Sequence, residues 1–107
     1  MERVLPDWAE NDQGHVVWLD DDHAVTWTVA SDGEINGGLF WHRKQDSGIP
    51  SATPGWCVGG FCTRPEGNPA GAPIWALESK EPITLSPSLR CGCGHHGFIR
   101  EGKWVEA

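Results

Sequence analysis

The alternation of hydrophobic and polar residues along this chain predicts strands rather than helices. Residues 25–29 read Val-Thr-Trp-Thr-Val, so valine and tryptophan fall on one face of a strand and threonine on the other. A second hydrophobic run covers residues 15–19, and the three aspartates at 20–22 between the two runs suit a turn. The pattern therefore predicts an antiparallel hairpin whose valine and tryptophan side chains face the core and whose threonines face solvent.

The same reading continues towards the C-terminus. Further short hydrophobic runs predict strands over residues 39–42, 74–77 and 82–85. The clearest second hairpin joins residues 98–100 to residues 103–105 through Glu101-Gly102, because glycine at the second turn position accepts a positive φ. No long segment shows hydrophobic residues at helical spacing.

Residues 43–73 interrupt this pattern, because they are rich in glycine, proline, serine and asparagine. The segment predicts a long irregular loop, which a compact domain tolerates only when it is tied down or has a function. We therefore expect residues 1–107 to form a single, mainly β domain. It would be a small antiparallel β-rich fold with a long irregular Gly/Pro-rich loop, stapled by zinc.

Composition narrows the choice of partners. Hydrophobic residues make up only 38% of the 107 positions, but seven are tryptophan, and each can bury about 150–250 Å². A core built around tryptophan is expected. The formal net charge of −7 argues against binding to nucleic acid or to anionic membranes and leaves a protein or peptide partner. No apolar stretch suits a signal peptide or a membrane span, so we expect a cytoplasmic protein with reduced cysteines.

Four cysteines and two adjacent histidines are the candidate metal ligands. Cys57 and Cys62 form one pair, and Cys91 and Cys93 form a second pair just before two histidines. Zinc prefers four sulfur or nitrogen ligands, and two pairs from distant segments suit that requirement. The predicted ligands are Cys57, Cys62, Cys91, Cys93 and His95.

The spacing of the second cysteine pair is tighter than usual, and this leaves alternatives open. Either Gly92 bends the chain, or one cysteine is a bystander and His95 or His96 replaces it. Buried thiols without a ligand role and disulfides are the other interpretations. The remaining histidines are expected to be ordinary strand or strand-end residues; they are His15, His23 and His42.

Ser88 and His96 are the candidate nucleophile and base. Pro87 restricts the backbone beside Ser88, and a glycine-rich segment separates the serine from the histidine and allows it to fold back. Serine becomes a nucleophile when a histidine takes its proton and a third group orients the histidine. The candidates for that third group are Asp32, Asp46, Glu78 and Glu81, and the amides near Gly92 and Gly94 could bind an oxyanion. A simple turn-forming serine is the alternative.

The C-terminal quarter carries a family resemblance. Residues 83–89 read Ile-Thr-Leu-Ser-Pro-Ser-Leu, followed by Cys93, His96 and Phe98-Ile99, and then Gly-Lys-Trp-Val at residues 102–105. This string resembles a family of small phage and bacterial proteins labelled as a domain of unknown function. The family includes the BubE-like serine peptidases of bacterial ubiquitin-like conjugation operons.

The resemblance implies a specific role for each matching residue. Ser88 would be the nucleophile, His96 the base and Cys93 a nearby structural position. The chain is accordingly expected to be a phage-type accessory protein that resembles the Ser/His peptidases of this family, acting in the host cytoplasm if it is phage-encoded. Its additional cysteines predict that zinc stabilises it. The alternative is a non-catalytic zinc-binding protein that binds a host protein, and a structural virion component is a third possibility.

Overall fold

The structure is a computed structural model that describes residues 3–9, 15–29, 31–45, 53–64, 74–80, 82–90 and 94–106. Its eight strands are β1 (His15–Asp20), β2 (His23–Val29), β3 (Ile35–Arg43), β4 (Trp56–Cys62), β5 (Ala76–Lys80), β6 (Ile83–Arg90), β7 (His96–Arg100) and β8 (Lys103–Glu106). In the described part, helix is limited to one turn at residues 7–9. No helix among these residues is long and apolar enough to cross a bilayer.

The strands form two antiparallel sheets, each a simple meander. Sheet A has the order β1-β2-β3-β4 and sheet B the order β5-β6-β7-β8. Both hairpins predicted from the sequence are present, β1–β2 and β7–β8. At the second turn Glu101 has a φ of 51° and Gly102 a φ of 77°, as a two-residue hairpin turn requires. The prediction of a mainly β, antiparallel fold is therefore confirmed.

The main hydrophobic core lies between the two sheets. Side chains of both sheets belong to one buried cluster, including Val25 and Phe40 from sheet A and Leu85 and Ile99 from sheet B. Phe40 stacks on Trp104 of sheet B, with ring centroids 4.7 Å apart. The fold is thus a small β-sandwich, and the side chains of this cluster lie on the two inner faces.

A second hydrophobic cluster covers the outer face of sheet A. Leu5 and Ala9, from the segment around the helical turn, pack there against Trp41 and Trp56. Thr26 is fully buried beneath this layer and accepts a hydrogen bond from the Trp41 indole N–H at 3.0 Å. The expectation that the threonines of β2 face solvent is wrong for Thr26, because the N-terminal segment covers this face of the sheet.

Strand β4 corrects the prediction of an unbroken irregular loop over residues 43–73. Residues 56–62 pair with β3 along their whole length, for example Phe40 with Gly59 and Leu39 with Gly60. The two glycines carry no side chain and so removed the hydrophobic alternation by which a strand is recognised. The rest of the predicted loop falls only partly within the described residues.

Candidate functional site

His95 and His96 are neighbours in the chain, yet they face two different sites. His95 precedes β7 and His96 is its first residue, and successive side chains of extended chain point to opposite faces. The inner face of β7 carries the buried Ile99, and His95 lies on that side against sheet A. His96 is exposed on the outer face, beside β6.

On the outer face, His96 meets the predicted nucleophile. Its Nε2 lies 2.6 Å from the Ser88 hydroxyl, which is hydrogen-bonding distance. Strand β6 is irregular here: Leu85 pairs with Ile99 and Leu89 with Gly97, so β6 advances four residues while β7 advances two. Such bulges re-aim side chains, and this one includes the Ser86-Pro87-Ser88 segment.

The candidates for a third group do not meet His96 within the described residues. Asp32 is paired with Arg64 at 2.9 Å in the turn after β2. Glu78 is exposed on β5. Asp46 and Glu81 lie outside the described residues, as does Gly92 of the predicted oxyanion site. Gly94 is described and has a φ of 92°.

On the inner side, His95 joins two histidines that the sequence interpretation set aside. The ring nitrogens of His23, His42 and His95 lie within 4.8 Å of one another, close enough to hold one metal ion. His23 begins β2 and His42 lies near the end of β3, and the two are direct cross-strand partners. We call these three residues the histidine triad; it joins sheet A to sheet B.

Carboxylates flank the triad. Asp20, at the end of β1, lies 2.7 Å from Nδ1 of His23, and this contact fixes the ring orientation and favours a proton on Nδ1. The second nitrogen of His23, Nε2, lies 2.9 Å from Nε2 of His95. Glu106 Oε1 lies 3.5 Å from the same His95 nitrogen. The histidine triad therefore has a carboxylate on two sides, one beside His23 and one beside His95.

The triad opens into a cleft of about 520 Å³. Trp104 stacks on two of the triad histidines, with ring centroids 4.7 Å from His23 and 5.2 Å from His95. The lining residues come from both sheets and from the turns beside them; they are Asp22, His23, His42, Arg43, Gln45, Gly55, His95 and Glu106. The Arg43 guanidinium group packs over Trp56 and contacts the Asp21 carbonyl.

The environment of His42 keeps its imidazole neutral. Partial burial, followed by the neighbouring charges of His95 and His23, lowers its pKa from 6.5 to about 4. Glu106 acts in the opposite direction but does not offset these effects. At neutral pH the ring is therefore in the neutral form, which is the form that can coordinate a metal ion or accept a hydrogen bond.

The described cysteines lie apart from each other. Cys57 and Cys62 are both in β4, and five residues of extended strand separate their Cα atoms by about 16 Å. Cys57 is buried and pairs in register with His42, whereas Cys62 pairs with Gly37 at the other end of the strand. Cys91 and Cys93 lie outside the described residues. Of the predicted metal ligands that the structure describes, His95 belongs to the triad and neither cysteine does.

Sequence reasoning missed His23 and His42 because each looked like an ordinary strand residue. One signal was available. A tight turn at residues 21–22 precedes β2, and antiparallel pairing with a third strand places the start of β2 beside the end of β3. That reasoning needed the register between β2 and β3, which a β-bulge near Val29 shifts. The contribution of His95 from the other sheet could not be deduced from any local pattern.

Fold and site together define a small antiparallel β-sandwich with a surface serine–histidine pair and a histidine-lined cleft. No family model, curated protein or solved structure matches the chain.

Proposed function

We propose that this protein is a small hydrolase of the serine peptidase type that cleaves a peptide or isopeptide bond. The observation that carries the proposal is the 2.6 Å contact between Ser88 Oγ and His96 Nε2. A histidine at this distance can take the serine proton as the hydroxyl attacks a carbonyl carbon, and later return it to the leaving amine. The resemblance of the C-terminal segment to BubE-like peptidases supports the same assignment.

The strand irregularity supports a positioned serine rather than a freely rotating one. The Ser88 carbonyl accepts a hydrogen bond from the Trp75 indole N–H at 3.2 Å, which holds the backbone of β6 beside the bulge. The Gly94 amide, in the segment that leads to His96, is a candidate oxyanion donor. A nucleophile held in this way loses less conformational entropy when substrate binds.

The exposure of His96 points to a polypeptide substrate. The serine and the histidine lie on the outer face of sheet B, whereas the cleft described above opens beside the triad. An extended polypeptide that lies across the sheet can reach an exposed pair. The apolar side chains of such a substrate would exclude water from the serine and the histidine. The proposed setting is that of a phage-type accessory protein in a cytoplasm, for which the C-terminal resemblance is the support.

The test is covalent labelling with a fluorophosphonate probe followed by mass spectrometry. We expect wild-type protein to be labelled on Ser88, and Ser88→Ala to remove the label. Ser86→Ala is the matched control, since Ser86 lies two residues away in the same strand and should leave labelling intact. His96→Gln should slow labelling about 10²–10⁴-fold, the usual contribution of a general base.

Two results would contradict the proposal. Wild-type protein that stays unlabelled has no activated serine. Equal labelling of wild-type and Ser88→Ala proteins would place the reactive group elsewhere. Circular dichroism of each variant checks that a loss of label is not a loss of fold.

The second candidate is a non-catalytic zinc-binding protein that binds a protein partner. The observation that favours it is the histidine triad, whose nitrogens are close enough to hold one ion. In this role the metal would stabilise the fold, and the serine–histidine pair would be an ordinary surface hydrogen bond. An unlabelled wild-type protein that contains one equivalent of zinc by elemental analysis would select this candidate over the first.

A further inference from the structure

We infer that His23, His42 and His95 together bind one divalent transition-metal ion, and that this ion keeps a coordination position open to the cleft for water or a small anion. Zinc is the metal that the donor set fits best, because three neutral imidazoles with a vacant fourth position are a recurrent zinc arrangement. The inference deepens the zinc-binding candidate above. It is independent of the serine–histidine pair, which lies on the outer face of sheet B.

The spacing of the ring nitrogens is the first support. At a zinc–nitrogen distance of about 2.0–2.1 Å, two nitrogens 2.9 Å apart subtend an angle of about 90° at the ion. A tetrahedral angle needs a separation of about 3.3 Å at the same bond length. A displacement of about 0.4 Å between His23 and His95 would therefore bring this pair of nitrogens to the tetrahedral separation.

The ring planes set a requirement for binding. The imidazoles of His42 and His95 are stacked, with centroids 3.8 Å apart and planes inclined by 11°, so their in-plane lone pairs lie in nearly parallel planes. One of these rings must turn about its Cβ–Cγ bond before all three lone pairs converge. Both side chains are only partly buried and border the cleft, so there is space for this turn.

Asp20 provides the second, independent support. Its carboxylate contacts Nδ1 of His23 at 2.7 and 3.0 Å, which leaves Nε2 directed at the other histidines. A carboxylate behind a histidine in this way is the usual outer partner of a metal ligand, since it fixes the tautomer and increases the basicity of the coordinating nitrogen. The same carboxylate accepts a hydrogen bond from the Asp22 backbone N–H at 2.8 Å, so the β1–β2 turn also holds it in place.

The open position follows from what surrounds the triad. The cleft of about 520 Å³ lies directly over it and is accessible to solvent. Glu106 Oε1, at 3.5 Å from His95 Nε2, is close enough to hydrogen bond to a water on the ion. Trp104 packs against the rings of His23 and His95, and the cleft gives an added ligand a route to the triad.

Zinc binding to metal-free protein is the primary test, measured by competition with a chromophoric chelator. We expect one equivalent to bind to the wild type. His95→Gln and His42→Gln should each lose stoichiometric binding. His15→Gln is the matched control: His15 lies at the exposed start of β1 and stacks on Trp27, away from the triad, so binding should be unchanged.

Substitution with Co²⁺ decides which atoms bind the ion and whether a position is open. Coordination by histidines gives visible bands without the near-ultraviolet charge-transfer band of a thiolate. Azide should shift the visible bands if a position is vacant. His96→Gln should bind Co²⁺ normally, which separates this site from the proposed nucleophile and base.

Three outcomes would overturn the inference. They are the absence of binding by the folded wild type, a thiolate charge-transfer band that persists in His95→Gln, and visible bands insensitive to azide. None of them alters the fluorophosphonate result, because the metal assay does not depend on Ser88. In the first outcome the three rings form a hydrogen-bonded stack, in which His95 donates to His23 and His23 donates to Asp20.

Discussion

At the scale of the residue, a difference of one position along the chain places two histidines in different environments. His95 faces sheet A and joins two other imidazoles, whereas His96 faces solvent and contacts a serine hydroxyl. The side-chain chemistry is the same, and the pleat of the chain sends the two rings to opposite faces.

The metal-free protein should lose stability as the pH falls from about 6.5 towards 4. Folding lowers the pKa of His42 to about 4, so over this range the unfolded chain binds a proton that the folded chain does not. The groups that set this pKa are His95, His23 and Lys44, which lower it with burial, and Glu106, which raises it. Urea denaturation at pH 7, 6, 5 and 4 measures the slope.

His42→Gln is the control for this pH dependence, since glutamine does not titrate. We expect a smaller loss of stability between pH 6.5 and pH 4 in the variant than in the wild type. Parallel curves for the two proteins would show that other groups produce the acid sensitivity.

At the scale of the element, the pairing of β7 with β8 depends on the close approach of Trp104 and the Val105 backbone to Gly97. A Cβ on Gly97 would lie 2.6 Å from the Val105 carbonyl oxygen and 2.7 Å from Cε2 of Trp104. Real side chains do not tolerate such contacts, so the Trp104 ring would have to move. We expect Gly97→Ala to lower the free energy of unfolding by about 1–3 kcal/mol, the usual cost of overpacking.

The same substitution should weaken metal binding, because Trp104 stacks on two of the triad histidines. Gly60→Ala is the matched control: a Cβ there meets only ordinary contacts, at 3.9 Å to the Gly38 carbonyl and 4.0 Å to Leu39. Its stability should stay unchanged or rise slightly. Thermal denaturation of both variants, with and without zinc, checks the two effects, and equal stability of the two would contradict the contact argument.

At the scale of the whole molecule, the two sheets share one core and should unfold together. Phe40 is fully buried between them, against Trp104 of the opposite sheet. We expect Phe40→Ala to cost about 3–5 kcal/mol, the usual loss for a buried aromatic side chain. Far-ultraviolet circular dichroism and tryptophan fluorescence should report a single coincident transition in urea.

Val105→Ala is the comparison, because Val105 is 40% exposed on the outer face of sheet B and should change stability by less than about 0.5 kcal/mol. Two separated transitions in the wild type would mean that the sheets are independent units, against the expectation of one domain.

Local patterns were sufficient for a large part of the fold. The alternation in residues 25–29 and the Glu101-Gly102 turn predicted hairpins that the structure contains, because both depend on neighbours in the chain. The alternation also predicted that Thr26 faces solvent, and this was wrong because a remote segment covers it. The glycines of β4 concealed a strand that is recognised only by its partner β3.

At the candidate site, the sequence by itself determined only the contact between two residues of one short segment. Ser88 and His96 are eight residues apart across adjacent strands, so their contact follows from local chain geometry. The triad was decided only by tertiary structure, since His23 and His95 are 72 residues apart and lie on different sheets. Strand pairing places His23 beside His42, and only the packing of one sheet on the other brings His95 to them.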